Sequence, residues 1–186
     1  MSANNFATFK DAFLGDLVVP EDPDYEKAIA RWALGAVRRA KIVAFVRGTA
    51  DVALAIDYAK TNKLPIAVRG GGHSPYGASS SEGGLVIDLS RYLDGVRIDP
   101  EQKLAYVGGG AIWETVDKGA IEHGLATVAG TVNHVCLHVV LYPKEISLIL
   151  VVRRRELEGG YYHCKFNDNF SYIASADSRL GVDLVG

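Results

Sequence analysis

Val68-Arg69-Gly70-Gly71-Gly72-His73-Ser74 is the stretch on which the reading of this chain turns. Three consecutive glycines follow a short apolar run, Leu64-Pro65-Ile66-Ala67-Val68, which reads as a strand with Pro65 tolerable at its start. With no Cβ in the way, the backbone there can pass close to a bulky ligand. Successive N–H groups in such a turn form a concavity suited to a phosphate or pyrophosphate. A glycine-rich surface turn accounts for Gly70, Gly71 and Gly72 equally well, so the run alone leaves both readings open.

Two named phosphate motifs fail here. Gly72 and Gly77 have the glycine spacing of a P-loop, but Ala78-Ser79 stands where Lys followed by Ser or Thr is required. No Gly-x-Gly-x-x-Gly opens a helix after a first strand, so the Rossmann fingerprint is absent as well. Binding of a dinucleotide by this chain requires a different fold.

Working outward, helix and strand alternate before the loop. A helix is expected after Pro23, running through Ala28 to Trp32, with Asp22 or Asp24 as its cap. The β-branched run at residues 41–46 reads as a strand. Thr49 is placed to cap the next helix, with Asp51 in the first turn, where the helix dipole favours an anion. Val52, Ala55, Ile56 and Ala59 then form one apolar stripe.

Beyond the loop, residues 84–89 read as a strand. Residues 96–99 and 104–107 flank Asp99-Pro100-Glu101-Gln102, a hairpin turn. Residues 111–123 are expected to be helical, with Ile112, Trp113, Val116 and Ala120 inward and Gly124 in the left-handed closing position. Residues 125–128 make a last short strand. Most of the twenty glycines lie between Gly70 and Gly130, and the pattern up to about residue 133 is mixed α+β. After His134 the character changes: residues 136–142 and 146–152 are strand-like without paired turn signals, and residues 156–186 are mostly polar and irregular.

At 186 residues, with 48% hydrophobic and 23% charged, the chain can bury a core without disulfides or metals. A formal net charge of −2 gives no footprint for nucleic acid, and Arg153-Arg154-Arg155 reads as a solvated face. Cys136 and Cys164 have neither disulfide-framework nor metal spacing, which favours a reducing compartment. His123, His134, His138 and His163 share no ligand spacing and read as structural, so no metal is expected. The start, Met1 to Phe6, lacks a basic region followed by an apolar run, so no signal peptide is expected. The longest apolar run is too short to cross a bilayer. The expectation is a cytoplasmic protein without nucleic-acid or membrane partners.

The ordered set of motifs goes further than any one of them. The string from Val68 to Ser74, then Gly77, then Gly83-Gly84-Leu85-Val86-Ile87-Asp88-Leu89-Ser90, resembles the flavin domain of the vanillyl-alcohol oxidase and p-cresol methylhydroxylase superfamily. Within it, the chain most resembles the branch of berberine bridge enzyme and the bacterial hydroxynicotine oxidases. Residues 96–100, Val107-Gly108-Gly109-Gly110-Ala111, and His123-Gly124-Leu125-Ala126 leading to Gly130-Thr131-Val132 agree in order. Ala30-Arg31-Trp32 and Ile42-Val43 match upstream, so the resemblance spans roughly residues 6–135.

The resemblance implies the N-terminal portion of a p-cresol methylhydroxylase-type FAD-binding domain, of α+β class. Residues 1–35 would be a helical lead-in, residues 36–135 the partial FAD domain, and residues 136–186 an unrecognised tail. It implies an FAD pyrophosphate held by Arg69, Gly70, Gly71, Gly72, His73, Ser74 and Gly77, and by backbone around Gly130, Thr131 and Val132. His73 stands where the family often bonds covalently to the flavin 8-methyl group. The plainer reading is a histidine that hydrogen-bonds within its turn. Where some relatives carry a second cysteine tether this chain has Val132, so a bicovalent flavin is not expected, and Cys136 reads as an ordinary small residue. Asp88 reads as a strand-end carboxylate near the cofactor or, the better fit, a solvated turn residue; Tyr76 either packs on a ring or is a surface aromatic. Ser74 and Thr131 either donate to phosphate or satisfy their own turns.

The implied activity is oxidation of an alcohol, amine or sugar carbon of a small-molecule substrate, with oxygen as acceptor. After Val135 the family pattern stops, which suggests a truncated or misread gene product. The substrate pocket and its base would then be missing, leaving apolar surface uncovered. Two other readings remain at this point: a non-catalytic flavin-binding remnant, and a small interaction domain whose loop binds another anion.

Overall fold

The computed structural model describes residues 3–128, 132–135, 150–153, 162–166 and 171–176. The chain divides into two compact units, Met1–Asp94 and Gly95–Gly186.

The first unit contains, in order, α1 (Ala3–Ala12), β1 (Asp16–Val18), α2 (Tyr25–Ile29), a 3-10 turn (Leu34–Ala36), β2 (Ile42–Phe45), α3 (Thr49–Thr61), β3 (Ile66–Arg69) and β4 (Leu85–Asp88). Its sheet has the order β1-β2-β4-β3. Both β2 and β3 run parallel to β4, and β1 is antiparallel to β2. Every residue of β2 and β4 is buried, as expected for apolar runs in a parallel sheet covered on both faces. On one side Val43, Phe45, Ala67 and Val86 pack with Tyr25, Ala28 and Ile29 of α2. Helix α3 packs against β4, burying Val52, Ala55 and Ala59. Helix α1 lies against α3, where the Phe9 ring stacks on Tyr58 at 4.3 Å. At the end of the sheet β3 alternates: Ala67 is buried, while Ile66 and Val68 are exposed.

The helix expected to reach Trp32 stops at Ile29. The chain swings extended at Ala30, and the Arg31 guanidinium turns back onto the carbonyls of Ala28 and Ala30. Neither acidic candidate caps that helix: Asp24 makes no side-chain cap bond, and Asp22 accepts from the Val19 N–H at 2.8 Å. Gly48, not Thr49, occupies the cap position of α3. Asp51 is buried in the first turn, where it accepts the N–H groups of Leu14 at 2.9 Å and Arg47 at 2.8 Å. One carboxylate thus ties the segment before β1 to the segment before α3.

The second unit contains β5 (Val96–Asp99), β6 (Leu104–Gly108), α4 (Trp113–Ile121), β7 (Leu125–Val128), β8 (Leu150–Arg153), β9 (Tyr162–Phe166) and β10 (Ser171–Ala176). All its pairings are antiparallel, in sheets of order β5-β6-β10-β9 and β7-β8. The β5–β6 hairpin forms as expected, with Asp99 Oδ1 accepting the Gln102 N–H at 3.0 Å. Trp113, Val116 and Ala120 of α4 pack with Ala105 and Val107 of β6, while Ile112 precedes the helix half-buried. Burying Val116 is worth about 1.5–3 kcal/mol. Gly124 closes the helix with φ +67°.

The segment expected to be irregular, residues 156–186, instead supplies β9 and β10, with β10 adding to the free side of β6. Of the two strand-like runs, residues 146–152 are met in part by β8, and residues 136–142 lie outside the described residues. Among the described residues no helix is long and apolar enough to cross a membrane.

Candidate functional site

Residues 70–84 form the crossover from β3 to β4, and they make it as a loop without a helix. Short parallel strands need a long connection to bring the chain back to the same end of the sheet.

Its entry is fixed by an ion pair. Arg69 ends β3 and Asp88 ends β4, directly opposite in the parallel register. Arg69 Nη1 donates to Asp88 Oδ2 at 2.7 Å, with the arginine side chain 18% exposed and the aspartate 0%. Asp88 Oδ1 accepts the Ser90 N–H at 2.9 Å and the Ser90 hydroxyl at 2.6 Å. Asp88 is thus the buried partner of an arginine, not the solvated turn residue expected from the sequence. Arg69 Nη1 also reaches the Ala28 carbonyl at 3.4 Å, while its buried Nε has no hydrogen-bond partner among the described residues.

A second arginine braces the far side of the loop. Arg31 is buried, and its Nε and Nη2 both donate to the Ser79 carbonyl, at 3.1 and 2.6 Å. Burial pushes the Arg31 guanidinium down to about 10, with Arg69 adding a smaller repulsion, so it stays charged at neutral pH. Arg38 is a third cation beside the loop, its guanidinium near the position a Cβ on Gly77 would take.

Between these braces the backbone turns left-handed twice, at Gly72 (φ +73°) and Gly77 (φ +80°). Such torsions cost an L-residue about 1–2 kcal/mol, so glycine is the natural occupant. A Cβ on Gly72 would meet Arg69 Nε at 3.1 Å and Arg31 Cδ at 3.2 Å. Among the described residues the N–H groups of Gly71, Gly72 and Ser74 find no backbone acceptor. The buried hydroxyls of Ser79 and Ser80 also lack partners there. Ser74 Oγ accepts the Ala78 N–H at 3.2 Å and so serves its own turn. Tyr76 is almost fully exposed, in line with a surface aromatic.

His73 is half-buried, and its ring stacks on Trp32 with centroids 5.7 Å apart and planes 29° apart. The Trp32 N–H donates to the Gly72 carbonyl at 3.3 Å. The structure therefore gathers Arg69, Gly70, Gly71, Gly72, His73, Ser74 and Gly77 into one loop. Val132 is exposed in the second unit, and Gly130 and Thr131 lie outside the described residues. The sequence reading did not single out Arg31 as a brace or Trp32 as a ring partner; both were legible only as part of Ala30-Arg31-Trp32.

Comparison with known proteins meets this geometry. The family model of the FAD binding domain matches residues 40–138. (R)-6-hydroxynicotine oxidase of Paenarthrobacter nicotinovorans is 35% identical over 116 residues, which are 62% of this chain and 25% of that protein. The uncharacterized FAD-linked oxidoreductase YgaK of Bacillus subtilis is 34% identical over 69% of this chain and 28% of its own length. The crystal structure of 6-hydroxy-D-nicotine oxidase from Arthrobacter nicotinovorans superposes with a TM-score of 0.64 at 34% identity, covering 67% of this chain and 27% of that one. The chain spans about a quarter of the length of these relatives.

A parallel sheet crossed by a glycine loop, in a chain matched by these flavoproteins, defines the class of FAD-binding proteins. More particularly, the chain belongs to the FAD binding domain family, whose model matches more than half of it.

Proposed function

We propose that this chain supplies the FAD-binding portion of an oxidoreductase, with the cofactor pyrophosphate lying along the β3–β4 loop. One observation carries the reading. The loop combines two left-handed glycines, N–H groups with no backbone acceptor among the described residues and an Arg69 Nε with no partner there, between arginines at its entry and its far side. These residues fit an anionic group: backbone donors orient it and Arg31, Arg38 and Arg69 offset its charge.

On this reading His73 is the tether: an imidazole nitrogen would replace one hydrogen of the flavin 8-methyl carbon, the imidazole N–H and methyl C–H protons leaving to solvent and the two electrons released passing to oxygen. A neutral imidazole nitrogen is a nucleophile at pH 7, and a covalent link prevents cofactor loss. When bound, the flavin supplies the hydride-accepting chemistry for an alcohol, amine or sugar carbon of a small molecule, with oxygen as acceptor. Arg69 and Asp88 hold the loop entry, Arg31 holds its far carbonyl, and Gly72 keeps a side chain from filling the cradle. The proton-accepting base toward substrate is assigned to none of these residues. The relatives' names support an oxidase of this kind.

The test is direct. The chain is expressed with riboflavin, denatured in acid and run on a gel. Flavin fluorescence should stay with the protein band and vanish in His73→Ala. A wild-type band without fluorescence, from protein that also takes up no free FAD, refutes the reading.

A further inference from the structure

We infer that Trp32 is a positioning residue for His73: its indole face fixes the imidazole in the orientation from which the flavin tether forms. The inference rests on the proposed covalent attachment and extends it to a residue whose ring stacks on His73.

Two independent contacts join Trp32 to the histidine end of the loop. Its backbone N–H donates to the Gly72 carbonyl at 3.3 Å, which pins the peptide adjoining His73. Its ring then lies over the imidazole, 5.7 Å between centroids and 29° between planes, an offset stack. The indole is 67% exposed, so it is no core anchor, and an exposed tryptophan held over another ring needs an explanation other than packing. Its neighbour supplies the stiffness. Arg31 is buried and bound to the Ala28, Ala30 and Ser79 carbonyls, so the stem carrying Trp32 cannot drift relative to the loop.

The consequence is rotational. An imidazole on a glycine-rich loop samples several rotamers, and only some aim a ring nitrogen at a carbon approaching the loop. A flat partner on one face narrows that choice. Covalent attachment is slow when the reacting atoms are seldom aligned, so holding the ring raises the rate without altering the bond formed. The backbone bond to Gly72 survives any substitution except proline, so replacing the side chain removes the stack and leaves the peptide contact.

The full chain tests this in two readouts. The first needs no flavin. Ring protons of His73, identified by their loss in His73→Ala, should lie upfield in the wild type and return to ordinary positions in Trp32→Ala. The second follows acid-stable fluorescence with time after FAD is added to cofactor-free protein. Attachment should be about two- to tenfold slower in Trp32→Ala, the factor expected from loss of one aromatic contact. Trp32→Phe should keep both the upfield shift and the wild-type rate, and the thermal midpoint should be unchanged in both variants. Unmoved His73 resonances in Trp32→Ala, or attachment at the wild-type rate, overturn the positioning role alone. Upfield resonances in a wild type that never retains flavin overturn the tether, and this role with it.

Discussion

Replacing Arg69 by methionine should destabilise the first unit by about 3 kcal/mol, because it strands a carboxylate that no water reaches. Asp88 is 0% exposed and Arg69 only 18%, with 2.7 Å between their charged atoms. Removing one member of a buried pair typically costs about 3–5 kcal/mol, since the remaining charge keeps its desolvation penalty and loses its partner. Ser90 still donates twice to Oδ1 after the change, which places the cost at the lower end. With an m-value of about 1–3 kcal/mol/M in urea, the midpoint should fall by about 1–3 M. The assay is urea unfolding of the full chain followed by far-ultraviolet circular dichroism. The double variant Arg69→Met, Asp88→Leu should recover most of the loss, because an apolar pair of similar volume carries no stranded charge. A cost below about 1 kcal/mol for Arg69→Met, the value typical of a solvent-screened pair, would refute the argument.

Three further outcomes follow from the same geometry. Asp51→Ala removes the acceptor of both the Leu14 and Arg47 N–H groups and should cost about 2 kcal/mol, read from the same urea curves. Gly72→Ala must adopt φ +73° and crowd Arg69 Nε; it should lose about 1–2 kcal/mol and bind FAD more weakly, which quenching of flavin fluorescence will measure. Hydrogen bonds from the Tyr92 hydroxyl and then Arg91 hold Asp16 below its ordinary 3.8, so its contribution is complete above that value and fades as pH falls through the lower folded value. The advantage of wild type over Asp16→Asn should be flat between about pH 5 and 7 and shrink below about pH 4; with Asp16 42% exposed it should stay under about 1 kcal/mol.

Local patterns in the sequence carried much of the fold. The apolar runs that became β2, β3 and β4, the Asp99-Pro100 turn, and the inward face of α4 were legible because each depends on neighbours a few residues away. Asp88 was misjudged because its partner lies 19 residues earlier and meets it only through parallel strand register. Thr49 has the chemistry of a helix cap, yet the helix starts one residue sooner, with Gly48 at the cap and Asp51 accepting the Arg47 N–H ahead of it. Helix α2 ends short because Arg31 is captured by carbonyls, one of them 48 residues downstream, and no periodicity encodes that. Strands β9 and β10 were invisible for the opposite reason: their segments lack a clean alternation, and β10 pairs with β6 across a long separation. At the site, glycine identity foretold the left-handed turns at Gly72 and Gly77, while the braces that hold them depend on tertiary contacts.

Among the described residues, the hydrogen bonds of Arg31 all go to oxygen atoms of the main chain. A brace of that kind is blind to the identity of the residues it holds, because every amino acid presents the same carbonyl. Side chains around Ser79 can therefore be exchanged without releasing the anchor, provided the backbone keeps its path. The loop combines a fixed frame with replaceable fittings, and its ligand preference can be retuned by substitution while the scaffold beneath it stands still.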